Sequence, residues 1–132
     1  MKNLPLTLIL LFILIGCKEE VTTLDEPTAE EMIARTWQVQ SVQINGQDEN
    51  AADFNAYRFT FRSDKTYRFL MPDERQGNWE LTANATLLLL DQGTNQEESV
   101  AVLELSESDL LLEFTEESVK LGPTQTRFSL VP

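Results

Sequence analysis

From Thr36 to the end of the chain, apolar and polar residues alternate in short runs, with turn-forming residues between them. A period of two sends successive side chains to opposite faces of a strand, and strands this short and regular mark an all-β sandwich or barrel. Strands are predicted at 36–44, 55–62, 66–71, 77–82, 86–91, 99–105, 109–115 and 124–131. The connections are all short or moderate, so the simplest topology is an up-and-down antiparallel order of roughly eight strands. Such a sheet can close on itself and remove both exposed edges.

Parity fixes the expected registers, because a slip of one residue turns a strand inside out. Tyr57, Phe59 and Phe61 share one face, and Tyr67, Phe69 and Met71 must share it too, which calls for an odd loop, the three residues Ser63 to Lys65. In a later hairpin, Ala101, Leu103 and Leu105 are expected to face with Leu110, Leu112 and Phe114 across the four-residue loop Ser106 to Asp109. In the first strand Trp37 and Val39 lie on one parity, Val42 and Ile44 on the other. A β-bulge near Gln40-Ser41 would bring them to one face, as where a barrel strand curls.

Upstream the pattern differs. Met1-Lys2-Asn3 precedes an apolar run from Leu4 to Ile15 and a small residue, Gly16, the layout of a secretory signal over residues 1–16. The run is shorter than the roughly 20 apolar residues that cross a bilayer, and Lys18-Glu19-Glu20 follow at once. Leu14-Ile15-Gly16-Cys17 is similar to the lipobox of bacterial lipoproteins, which implies cleavage before Cys17 and lipid on its thiol. Residues 17–27 read as a lipid-anchored linker closed by Pro27; their acids are either a surface-export signal or a solvated tether. Thr28 and Glu31 have the spacing of a capping box and open a short helix over about 28–35, with Met32 and Ile33 free to dock. No other helix is signalled. The barrel domain is expected over 28–132.

Composition narrows the chemistry. Cleavage leaves 116 residues, one domain's worth, and nine basic against 22 acidic side chains, a net of −13. Nucleic acid is no partner for such a chain. The sequence has no histidine, and its single cysteine is the lipidation site. Histidine-dependent nucleophile pairs, histidine-ligated metals and thiol chemistry are therefore unavailable. No catalytic residues, no cofactor and no metal are expected, and the protein reads as a non-enzyme.

The alternation places Tyr57, Phe59, Phe61, Tyr67, Phe69, Met71 and Trp79 on the inner face, where they would line a ligand or fill the core; Phe59 and Phe69, with Trp79 close by, are the centre of the expected site. Arg127 alternates with Phe128 and Leu130 and should turn outward to a surface pairing, as should Arg58, Arg62 and Arg68. The oxygen-rich stretch from Asp91 to Glu97 lacks the spacing of an EF-hand and reads as a solvated turn. The acid pairs Asp73-Glu74, Glu97-Glu98 and Glu116-Glu117 are expected in loops, and Asn84-Ala85-Thr86 as a turn leading into a strand.

Several of these residues carry a resemblance. Ala34-Arg35-Thr36-Trp37-Gln38-Val39, the Asn45-Gly46 turn, Phe59-Thr60-Phe61, Ser63-Asp64-Lys65-Thr66-Tyr67, Gly77-Asn78-Trp79-Glu80-Leu81 and Thr86-Leu87-Leu88-Leu89 resemble the Bacteroidetes-type lipocalin-like domain lipoproteins over about residues 30–132. Where lipocalins enter the first strand with Gly-x-Trp, this chain has Arg35-Thr36-Trp37. The resemblance implies a β-barrel and a cavity for a small apolar molecule. Two functions stand open: an outer-membrane lipoprotein, on the periplasmic face or the cell surface, that binds a small apolar ligand, or a packed barrel that serves an envelope protein partner without ligand.

Overall fold

The structure, a computed structural model, describes residues 25–132. The expected signal peptide, Cys17 and most of the linker lie outside the described residues; Asp25, Glu26 and Pro27 are exposed.

Helix α1 (Ala29–Ile33) leads into nine strands: β1 (Thr36–Ile44), β2 (Gln47–Asp48), β3 (Arg58–Phe61), β4 (Thr66–Leu70), β5 (Glu74–Leu81), β6 (Leu87–Leu90), β7 (Glu98–Leu105), β8 (Leu110–Glu116) and β9 (Thr124–Val131). All pairings are antiparallel between neighbours in the order β3 to β9, and β1 pairs with both β3 and β9, which closes an eight-stranded up-and-down barrel. β2 is a stub folded back on the end of β1 through the Asn45-Gly46 turn, whose two residues have φ of 49° and 79°. Positive φ at both positions is what a two-residue hairpin of the favoured twist requires.

Closure depends on the expected bulge. Val39 pairs with Leu130 and Ser41 with Ser129, so Gln40 is skipped and Trp37 and Val42 both point into the core. The β3–β4 hairpin has the even register, Phe59 opposite Phe69, and its turn is completed by Lys65 at φ 70°. Thr28 caps α1 reciprocally with Glu31, and Ile33 is fully buried while Met32 is half-buried. Asn84 closes its turn by accepting from the hydroxyls of Thr82 and Thr86.

Four expectations need correction. In β7 the odd register holds only at the turn, where Leu105 faces Leu110; a second bulge skips Leu103, and beyond it Val102 faces Leu112. Val100 and Val102 are therefore the buried residues, and Leu103 points outward at 46% exposure. Val100, Ala101, Val102 and Leu103 are all apolar, so hydrophobicity could not choose between the parities. β5 begins at Glu74, three residues earlier than expected, because Glu74 to Asn78 pair with β4. Glu74, Glu98 and Glu116 thereby fall at strand ends rather than in loops. Finally, a 3₁₀ turn, Ala51–Phe54, lies where no helix was signalled, capped by the Asn50 side chain on the Ala52 amide.

Candidate functional site

The two ends of the barrel differ. At one end α1 lies across the opening, with Ile33 in the core, the Trp37 indole donating to the Ile33 carbonyl at 3.0 Å, and Lys65 bridging Glu30 at 2.5 Å. Arg35 ties the same end to the β7–β8 turn through the Glu107 carbonyl. This end is closed. Crevices of about 240 and 300 Å³ lie beside α1, the first bordered by Glu30, Lys65 and Trp79, the second by Glu30, Leu81 and Thr82.

The interior is filled. Phe59, Phe61, Tyr67, Phe69 and Trp79 are at most 1% exposed, and their rings pack mainly edge-on: Phe59 to Phe69 at 5.0 Å, Phe61 to Phe69 at 5.4 Å and Phe61 to Trp79 at 5.8 Å. Edge-to-face contacts of this kind add to area burial. Trp79 belongs to the closed end, where its indole donates to the Arg62 carbonyl and the Lys65 ammonium stands 4.5 Å over its ring.

At the opposite end no helix covers the barrel, and a cleft of about 200 Å³ remains. Ile44, Phe54, Tyr57, Met71, Phe114 and Phe128 line it, with Glu116 and Thr126 at its rim. The alternation of each strand accounts for this set. Phe114 and Phe128 are the last buried rings of β8 and β9, and the next inward positions are Glu116 and Thr126. Phe54 arrives from the 3₁₀ turn and packs edge-on to Tyr57 at 5.1 Å and Phe128 at 6.3 Å. Phe128 in turn rests on Phe59 at 5.2 Å, so the floor of the cleft is the top of the ring stack.

Of the residues expected to line a site, then, Tyr57 and Met71 border the cleft, while Phe59, Phe61, Tyr67, Phe69 and Trp79 are packed beneath it. Parity pointed to Phe114 and Phe128; it gave no access to Phe54, whose turn carries no two-residue or helical periodicity.

The stretch from Asp91 to Glu97, expected as a solvated turn, instead begins in a polar cluster of the barrel wall, where Asp91 is buried. Arg75 and Gly77 continue the inward face of β5 beyond Trp79, and there the Asp91 carboxylate fills the space of the missing side chain: a Cβ on residue 77 would overlap its Oδ1. Asp91, at φ 53°, accepts from the Tyr67 hydroxyl at 2.6 Å, the Asn78 amide at 3.1 Å and Arg75 at 3.1 Å. Glu98 takes the other arm of Arg75 at 2.5 Å. Burial opposes ionisation of Asp91, but these donors and the guanidinium outweigh it and hold its pKa below the ordinary carboxylate value. Burial, and then the hydrogen bond to Asp91, push the Tyr67 hydroxyl well above its ordinary value. Asp91 is thus spent on the fold. Among the described residues no grouping of carboxylates or thiols could hold a metal ion. Arg127 lies outside, paired with Glu113 at 2.6 Å, and Arg68 pairs with Glu74 at 2.8 Å, whereas Arg58 caps the Asn55 and Tyr57 carbonyls.

The family model of the lipocalin-like domain matches residues 33–112, more than half of the chain. The chain belongs to the lipocalin-like domain family. Among solved structures it is similar to a lipocalin-like protein from Bacteroides uniformis, at 17% identity and a TM-score of 0.53, covering 76% of this chain and 97% of that one. It is also similar to bovine odorant binding protein in complex with a selenium-containing odorant, at 10% identity and a TM-score of 0.49, covering 80% and 73%. No curated protein matches it. In this lipocalin-like barrel the aromatic rings pack beneath the cleft at the open end.

Proposed function

We propose that the protein is a membrane-anchored envelope lipoprotein, held by lipid on Cys17 at the outer membrane, whose barrel receives a small apolar ligand at its open mouth. The cleft formed by Ile44, Phe54, Tyr57, Met71, Phe114 and Phe128 carries this reading, because these six apolar or aromatic residues surround it and its floor is the packed ring stack. Its volume is below the roughly 300–1,000 Å³ of ordinary ligand pockets, so the ligand is small and only partly enclosed. The fold by itself grants no activity; the support is the lining.

Titration of the methyl-labelled barrel with 2-phenylethanol should move the Met71 and Ile44 methyl resonances and leave those of Leu88 and Leu110, in the packed interior, in place. Phe54→Ala should weaken binding several-fold while the fold persists, since Phe54 is half-buried and outside the ring stack. Uniform small shifts with no saturation across a panel of apolar probes would refute the mouth as a site.

That result would favour the second reading, a packed module that acts through its surface on an envelope protein. The filled interior supports it, as do Val119 and Leu121, which stand exposed in the β8–β9 loop.

A further inference from the structure

The charges that face inward near the mouth are few, and they are unequal. Arg75 is the inward cation, and both Asp91 and Glu98 already hold it. Glu116 follows Leu110, Leu112 and Phe114 on the inner face of β8 and reaches the rim of the cleft; among the described residues no cation pairs with it. The loops around this mouth, residues 45–57, 71–73, 91–97 and 117–123, bring Asp48, Glu49, Asp53, Asp73, Glu97 and Glu117 against one basic residue, Lys120. With the Arg58 guanidinium on the Asn55 and Tyr57 carbonyls counted beside Lys120, these charges at the opening are six negative to two positive, a net negative surround.

We infer that the mouth takes a small monocationic ligand, an amine on a single-ring or short alkyl body, with its apolar part between Phe54, Tyr57 and Phe128 and its ammonium at Glu116. This rests on the mouth being the binding site, and it names the class of molecule. Size supports it: an apolar cavity of roughly 150 Å³ accommodates benzene, and this cleft of about 200 Å³ leaves room for a short chain besides. The aromatic lining adds to this, since a ring face within about 6 Å attracts a cation more than a neutral group. A carboxylate in the same position would meet Glu116 and the acidic loops with no free guanidinium or ammonium on the inner face to receive it.

Three probes of one shape separate the possibilities: 2-phenylethylamine, 2-phenylethanol and phenylacetate, titrated by calorimetry and methyl NMR at neutral pH and low salt. The amine should bind about three- to tenfold more tightly than the alcohol, the gain expected of a partly exposed ion pair with a cation–π contact, and phenylacetate most weakly. The preference should shrink with added salt. Glu116→Gln should bring the amine to the level of the alcohol, whereas Glu107→Gln, which removes the same charge at the closed end, should keep the preference intact. Equal affinities, a preference for the anion, or a preference that survives Glu116→Gln would overturn the cationic class while leaving the mouth as a site. Saturable binding by none of the three would overturn both.

Discussion

Gly77 shows how one missing side chain organises its surroundings. Its inward position on β5 is occupied by the carboxylate of Asp91, which reaches in from the β6–β7 connection and joins Tyr67, Arg75 and the Asn78 amide. In Gly77→Ala the added carbon would meet that carboxylate and also the Tyr67 ring, so Asp91 must withdraw and leave buried donors unpaired. The expected cost is about 1–3 kcal/mol, the range for overpacking a filled site, read as a lowered denaturation midpoint in urea; an unchanged midpoint would mean that Asp91 can move aside freely. The same cluster sets a pH window. Because the native pKa of Asp91 is lowered, the stability it contributes is complete above the unfolded carboxylate value of about 3.9 and is lost as pH falls through the native value. The native pKa of Tyr67 is raised, so its contribution is complete below the unfolded value of about 10 and is lost as pH rises through the native one. Thermal unfolding followed by circular dichroism should show Asp91→Asn already destabilised at neutral pH and losing less than the wild type on acidification. Parallel acid profiles for the two proteins would place the acid sensitivity elsewhere.

Two bulges decide which residues each element buries, and they were not equally legible. In β1 the apolar residues change parity between Val39 and Val42, with polar neighbours on either side, so the sequence itself shows that one residue must be skipped. In β7 every residue from Val100 to Leu103 is apolar, and the skip at Leu103 is imposed by pairing with β8 and β6. The two registers assign opposite roles to Val102 and Leu103. With Val102 buried and Leu103 outward, Val102→Ala should cost about 2 kcal/mol in equilibrium unfolding, and Leu103→Thr less than about 0.5 kcal/mol; the reverse ranking would restore the regular register. The same contrast explains what was visible of the candidate site. Tyr57 and Met71 could be read because strand parity continues one residue beyond the ends of β3 and β4. Phe54 could not, since its approach depends on a tight turn cut by Asn50. Arg75 and Asp91 were hidden because their partners lie 16 residues apart, where no local pattern connects them.

For the whole molecule, filling and closure are the same fact. Eight short strands enclose little space, and the buried rings from Trp79 to Phe128 occupy much of it, with the cleft beside Phe54 and Phe128 at one rim. The attachment of the molecule is a separate question with a separate test. Membrane-extracted protein should have an intact mass that lacks residues 1–16 and carries lipid, and Cys17→Ser should show neither change; soluble wild-type protein without lipid would dismiss the anchor. The position of α1 bears on what such an anchor would do. The chain enters the barrel at the closed end, where Thr28 caps the helix, and β9 runs out to Val131 at that end as well. A tether joined there would hold the barrel by its base, like a cup on a cord. If the proposed anchor and ligand hold, the mouth lies on the side of the barrel away from the attachment point, and a dissolved guest can come and go without the holder letting go.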